Sequence, residues 1–177
     1  MHVSFKFDTH YEFDKLKQLA ISIENKSQDR PIYVDWDYCS LTDLDKRSRR
    51  VTRLPPGTTL DLFQNQVFSV IAPGKTLKET IAAEDMLTRK GEDGGMEVTK
   101  TVIDLSKPDS KKPDAVKKRY KEFVEGKIQL HFSLYLALRL AGTNASPTGD
   151  RTQVLCNFTL TKLNWTAGLP WNPRKKK

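Results

Sequence analysis

No stretch of the sequence is long and apolar enough to cross a bilayer. The longest apolar-rich run, IQLHFSLYLALRLA, has 14 residues and carries His131 and Arg139, where a spanning helix needs about 20 mostly apolar residues. Cysteine is scarce too. Cys39 and Cys156 are far apart and have no metal-ligand spacing, so the expectation is two buried thiols in a reducing cytosol. The opening MHVSFKFDTHYEF lacks the basic start and apolar stretch of an export signal. The four Asn-x-Ser/Thr sequons, at Asn25, Asn144, Asn157 and Asn164, therefore carry no weight as glycosylation sites. His2 and His10 have no ligand spacing to each other, and neither cysteine has the signature of a nucleophile around it. Gly74-Lys75-Thr76 fails as a phosphate loop, because Ser69 stands where the first glycine is needed and no helix follows. The sequence thus points to no catalytic residue, no metal site and no cofactor.

What the chain does have is alternation. In 128 to 141, Ile128, Leu130, Phe132, Leu134, Leu136, Leu138 and Leu140 share one face of an extended strand, with Gln129, His131, Ser133, Tyr135 and Arg139 on the other. A helix would scatter those apolar residues around its cylinder. At about 3.3 Å per residue such a strand exceeds the usual length, which predicts a bend or bulge within it. The turn-rich GTNASPTGDR follows, and then a second alternating run with Val154, Cys156, Phe158 and Leu160 in phase. The two form a predicted antiparallel hairpin. Further predicted strands are VSFKF, LAISI, PIYVDWDYC (Ile32, Val34, Trp36 and Tyr38 in phase), TTLDLF, QVFSVIA and TLKETI. Turn formers separate them at intervals that suit a sandwich or barrel. Trp36 is expected to be a core indole, in preference to a ligand-stacking one.

Between about 84 and 127 the sequence turns polar, with one helical passage in which Val116, Tyr120, Phe123 and Val124 recur at helical spacing and Gly126 serves as the stop. This reads as an insertion, partly mobile, carrying one short helix. At 177 residues with 37% hydrophobic and 29% charged content, the chain is expected to form a single β-sandwich domain over 1–165, with a basic C-terminal tail over 166–177.

LAISIENKSQDRPIYVDWDYCSLTD, SRRVTR and VFSVIAPGKTLKETI together resemble a pattern of bacterial immunoglobulin-like β-sandwich domains: a strand ending in N-K-S, a strand carrying W-D, and a later I-A-P-G turn. The resemblance covers residues 19 to about 81. It implies an all-β, immunoglobulin-like antiparallel sandwich closed by the long hairpin, and no particular activity, since the fold hosts unrelated functions.

The net charge is +8, from 30 basic and 22 acidic residues. Five cations crowd DKRSRRVTRLPPG (Lys46, Arg47, Arg49, Arg50 and Arg53) and four end the chain (Arg174, Lys175, Lys176 and Lys177), preceded by Trp165 and Trp171. Alternation along 47 to 53 would put several cations on one strand face, where they repel unless an anion is near. These eleven residues are the candidate partner-binding set. Indoles beside a polybasic cluster suit an anionic membrane, at about 1 kcal/mol per cation near the surface. They also suit an acidic groove on a protein or a phosphate backbone. A solvated tail that only aids solubility is the plain alternative. The expectation is a non-enzymatic accessory or docking module in the cytoplasm, binding an acidic protein complex or attached peripherally to an anionic membrane. Nucleic-acid binding is the runner-up, although no recognised nucleic-acid module appears. A sandwich hydrolase or sugar binder using Asp35 and Asp37, two apart on one strand, comes third.

Overall fold

The computed structural model describes residues 1–8, 16–55, 64–90, 95–105, 107–141 and 150–163. Its strands are β1 (His2–Lys6), β2 (Leu19–Glu24), β3 (Ile32–Val34), β4 (Ser40–Thr42), β5 (Ser48–Arg53), β6 (Ser69–Ile71), β7 (Thr76–Ala83), β8 (Leu87–Lys90), β9 (Gly95–Val98), β10 (Leu130–Leu140) and β11 (Asp150–Leu160). One helix, α1 (Asp114–Val124), and two single-turn 3₁₀ segments, Trp36–Tyr38 and Glu84–Met86, complete the described elements. The predicted strand TTLDLF lies outside the described residues, as does the connector of the long hairpin.

All pairings are antiparallel. One layer runs β1-β2-β7-β5. The other has β11 beside β10, with β3 and β4 along the far edge of β10 and β6 outside β3. The layers join at β5, whose residues 48–50 pair with β4 and 51–53 with β7. The result is sandwich-like packing of two sheets. Period-two burial drives it: Leu19, Ile21 and Ile23 of β2 face Leu134, Leu136 and Leu138 of β10 in one core, all at most 3% exposed. Each such side chain contributes about 1.5–3 kcal/mol relative to exposure. Aromatics close one flank, where Phe158 stacks on Phe132 at 4.5 Å and meets Phe5 edge-on at 4.9 Å.

Three expectations are corrected. First, of the bend or bulge expected in the long strand, the bulge is absent from β10: residues 130 to 140 pair one-to-one with β11. The irregularity sits on its other neighbour, where residues 35–39 loop outward between β3 and β4. There the Asp35 N–H donates to the Ala137 carbonyl (3.0 Å), and the Cys39 sulfur accepts from the Ala137 N–H (3.4 Å). Second, PIYVDWDYC is therefore not one strand. Trp36 is fully buried as expected, its Nε1–H donating to Ser69 Oγ at 2.8 Å, but the 3₁₀ turn swings Tyr38 out to 66% exposure. Third, the segment 84 to 127 is more than a polar excursion. It contributes the β8–β9 hairpin and three core side chains, Met86, Val102 and Ile103. Its helix ends as expected, with Gly126 at φ +72° and a Schellman pair of bonds from Gly126 N–H to Phe123 and from Lys127 N–H to Glu122.

The N-K-S and I-A-P-G fragments, 46 residues apart, meet at Asn25. That side chain is 1% exposed; its Nδ2 donates to the Ile71 carbonyl (2.9 Å) and the Arg30 carbonyl (2.7 Å), and its Oδ1 accepts from Ser27 N–H (3.0 Å). Its backbone bonds the Pro73-Gly74 turn, accepting from Gly74 N–H and donating to the Lys75 carbonyl, both at 2.9 Å. Gly74, at φ +66°, takes the position of a type II turn that favours glycine.

Candidate functional site

The arginines of β5 have anions near them, and the anions belong to this chain. Arg50 pairs with Asp37 (2.9 Å) and Glu84 (3.5 Å) and donates to the Gln64 carbonyl. Arg49 reaches Asp85 (3.4 Å), Asp43 (3.8 Å) and the Val102 carbonyl (3.1 Å). Arg53 donates to the Val67 carbonyl (2.9 Å) and Ser69 Oγ (3.2 Å), lies 4.0 Å from Glu79, and sits over the Trp36 ring. A guanidinium offers five donors in a rigid fork, which suits it to strapping several segments to one strand. Here the fork holds both 3₁₀ turns and the 99–105 segment against the strand that joins the two layers. The straps are not ideal, since the Nε of each of the three arginines is buried without a hydrogen-bond partner.

Lys46 and Arg47 differ from them. Both are exposed, on the β4–β5 turn, and no ion pair to either occurs among the described residues. Asp43 organises this turn, its Oδ1 accepting from the N–H groups of Asp45 (2.8 Å) and Arg47 (3.0 Å). Lys46 sits at φ +60°, the one non-glycine residue at positive φ among the described residues. Five acids (Asp37, Asp43, Glu79, Glu84 and Asp85) thus stand against Arg49, Arg50 and Arg53, and counted together with Lys46 and Arg47 these charges sum to zero.

The charge excess therefore lies elsewhere. Residues 107–127 hold eight basic and four acidic residues, a surplus of +4, and Arg174–Lys177 supply the other +4. In the remainder, 18 cations balance 18 acids, so these two segments carry the whole +8. The first segment was not singled out from the sequence, because interspersed Asp109, Asp114, Glu122 and Glu125 hide the surplus from a search for unbroken runs. A windowed charge sum finds it.

The folded chain brings this segment, the turn and the end of β11 to one end of the sandwich. β4 runs along β10 so that the 43–47 turn lies toward Leu130, which pairs with Leu160 at the end of β11. Arg119 of α1 donates to Asp45 (2.7 Å) and the Leu44 carbonyl (3.3 Å), and Lys162 Nζ hydrogen-bonds the Val124 carbonyl at the other end of the helix. Lys111, Lys112, Lys118 and Lys121 are exposed, and of these only Lys118 has an ion pair among the described residues, a long one to Glu122. A groove of about 410 Å³ runs between the turn and residues 99–104, with Arg119 on its rim. The tail residues Trp165, Trp171, Arg174, Lys175, Lys176 and Lys177 lie outside the described residues; the described chain stops at Leu163, 54% exposed, on this same end.

Asp35 and Asp37 do not converge. Asp35, 6% exposed, pairs with Arg139 (2.7 Å), whose guanidinium stacks on Phe68 (4.9 Å). Asp37 is engaged by Arg50 and by the Gln66 N–H. A depression of about 310 Å³ above Asp35 is lined by Tyr38, Tyr135, Arg139, Arg151 and Gln153, and the Tyr135 hydroxyl donates to Gln153 Oε1 within it. Both cysteines are free thiols. Cys39 is buried as expected and burial pushes its pKa up to about 12; Cys156 is only half-buried, with its pKa raised by the same cause. Among the described residues no cluster of metal-ligating side chains occurs, and no helix is long and apolar enough to cross a membrane.

No family model matches the chain, and no curated protein matches it. A solved structure, described as "Crystal structure of protein from Archaeoglobus fulgidus", is distantly similar, with 10% identity and a TM-score of 0.33 over 93% of this chain and 98% of that chain.

Proposed function

We propose that the protein is a non-enzymatic docking module that presents the basic end of an immunoglobulin-like sandwich to an acidic protein surface. The observation that carries this reading is that residues 107–127, with a surplus of +4, lie at one end of the fold, tied by Arg119 to the turn that presents Lys46 and Arg47 and by Lys162 to the end of β11. Lysines projecting from a short helix steer an acidic partner and speed its encounter, with affinity added by whatever apolar anchor accompanies them. Lys46 fits the same role. A lysine held at positive φ where glycine is easier is the kind of local strain that collects at functional surfaces. Cytoplasmic location and the order β1-β2-β7-β5 facing β11-β10 with β3 and β4, around a buried Trp36, are parts of the same proposal; the second is supported by its correspondence to the two sheets of immunoglobulin domains.

A second reading, peripheral attachment to an anionic membrane, is favoured by Trp165 and Trp171 ahead of Arg174–Lys177 and by the exposed Leu163. The test uses the full chain as bait in a native extract at low and high salt, beside co-sedimentation with phosphatidylserine vesicles. Reversal of Lys111, Lys112, Lys118 and Lys121 to Glu is expected to abolish salt-sensitive capture of acidic proteins. Capture that survives this reversal refutes docking through the basic end. Vesicle binding lost on replacing Trp165 and Trp171 with Ala selects the membrane reading, and retention of nucleic acid alone selects the runner-up, nucleic-acid binding.

A further inference from the structure

β11 is an edge strand of eleven residues that pairs only with β10 among the described residues. Natural edges are usually blunted by lysine, proline, a bulge or short length. This one has none of those devices: it pairs without a bulge throughout, and from Thr152 to Leu160 it contains no charged residue and no proline. Its inward side is also incompletely covered. On β10 the core-facing Leu130, Phe132, Leu134, Leu136 and Leu138 are all buried, whereas Val154, Cys156, Phe158 and Leu160 on β11 are all only half-buried. On the outward side Leu155 is 59% exposed. Backbone hydrogen-bonding groups and apolar side chains are thus left open along the same line.

We infer that β11 pairs antiparallel with β11 of a second copy of this chain, around a twofold axis through Leu155. Symmetric antiparallel pairing that keeps inward side chains inward must centre on a residue, and centring on Leu155 is the register that uses all eleven. It sets Leu155 against its own mate, Gln153 against Asn157 and Arg151 against Thr159 on the outer face, and Val154 against Cys156 and Thr152 against Phe158 on the inner one. No like charges face each other. The choice of a second copy over a foreign peptide rests on this self-complementarity and on charge: a chain carrying +8 repels its copies over most of its surface, and this edge is a long one with no net charge, Asp150 and Arg151 being its only charged residues. The paired sheets would be continuous, with the two basic ends pointing in opposite directions. The inference stands independently of what those ends bind.

Sedimentation equilibrium on the full chain tests it. The wild type is expected at twice the 20.3 kDa monomer mass as concentration rises. Leu155→Lys and Leu155→Asp, each placing like charges together on the axis, are expected to weaken self-association at least tenfold, with far-UV circular dichroism unchanged because the side chain is exposed in the monomer. An equimolar mixture of the two variants is expected to restore the dimer, because residue 155 then faces its opposite charge. A wild type that stays monomeric at every concentration overturns the inference. So does a dimer indifferent to both substitutions, or a mixture that fails to reassociate.

Discussion

Replacing Asn25 with alanine removes one small side chain and with it three hydrogen bonds: those to the carbonyls of Ile71 and Arg30 and that from the N–H of Ser27. A net hydrogen bond is worth about 1 kcal/mol, and leaving a buried partner unsatisfied costs about 1–3 kcal/mol. The Ile71 bond is buried and the other two are partly buried, so the expected loss is about 3 kcal/mol. For a domain of this size that corresponds to a fall in Tm of roughly 6–12 °C. Urea unfolding followed by tryptophan fluorescence supplies the free energy directly, since Trp36 is fully buried. Asn25→Asp sharpens the test. A carboxylate keeps an acceptor for Ser27 but faces two carbonyl oxygens with no proton to give, so it should be at least as damaging as alanine at pH 7. Its deficit relative to wild type should shrink toward pH 4, where a protonated carboxyl can donate to one of them. A loss below about 0.5 kcal/mol for Asn25→Ala, the range of ordinary surface substitutions, would show that Asn25 does not hold the two turns together.

The other predictions concern the thiol and the cations. The Cys39 pKa is raised from 9.0 to about 12 in the folded protein. The neutral thiol therefore stabilises the fold fully below pH 9, and that contribution is lost as pH rises from 9 toward 12, because only the unfolded chain releases the proton over that window. Cys39→Ser should flatten the alkaline limb of the stability curve, and an unchanged limb would refute this assignment. Lys46→Gly relieves a left-handed backbone and should stabilise the protein by about 0.5–1 kcal/mol in thermal or urea unfolding, while weakening capture of the proposed acidic partner. Destabilisation instead would mean that the Lys46 side chain is structural. Arg50→Met takes the cation away from Asp37 and Glu84 and should cost about 1–2 kcal/mol, whereas Arg47→Met should stay within about 0.5 kcal/mol. Equal effects of the two would dissolve the distinction between strapped and free cations in the 46–53 run.

The strands were legible where burial follows period two without interruption. β2, β10 and β11 alternate in sequence as they alternate in the fold, and α1 appears in the spacing of Val116, Tyr120, Phe123 and Val124 with Gly126 at its end. The break at 35–39 was hidden because Ile32, Val34 and Trp36 keep perfect alternation up to and into the 3₁₀ turn. What decides the break is the Ala137 amide and the Cys39 sulfur, 98 residues apart. The burial of Val102 and Ile103 was concealed by the polar residues around them. The site was legible only as a list of cations. Sequence adjacency gathers Lys46 to Arg53 into a patch, but the acids that neutralise its arginines come from positions 37, 79, 84 and 85 as well as from nearby Asp43.

That redistribution bears on how the fold and the proposed docking role coexist. β5 must leave one sheet for the other, and at such a corner neighbouring segments lose the continuous ladder that would fix them. Arginines at 49, 50 and 53 supply substitute fixings by reaching carbonyls of Gln64, Val67 and Val102 that belong to no ladder partner of β5. Charges used in this way are held close to their counterions and contribute little field at a distance, because an ion pair is seen from outside as a dipole. Exposed lysines on the surface helix and in the turn before it are the reverse case. Lys111, Lys112 and Lys121 make no ion pair among the described residues, so their field extends about a Debye length, roughly 8 Å at physiological salt. Arginine for straps and lysine for the outward face is the division expected from a planar fork on the one hand and a mobile, well-hydrated point charge on the other. An Arg-for-Lys exchange across the whole of α1 should accordingly preserve docking, while Lys-for-Arg at 49, 50 and 53 should loosen the corner and lower Tm with the net charge unchanged. Matching Tm values for wild type and the triple lysine variant would show that charge alone, and not the fork, holds β5 in place.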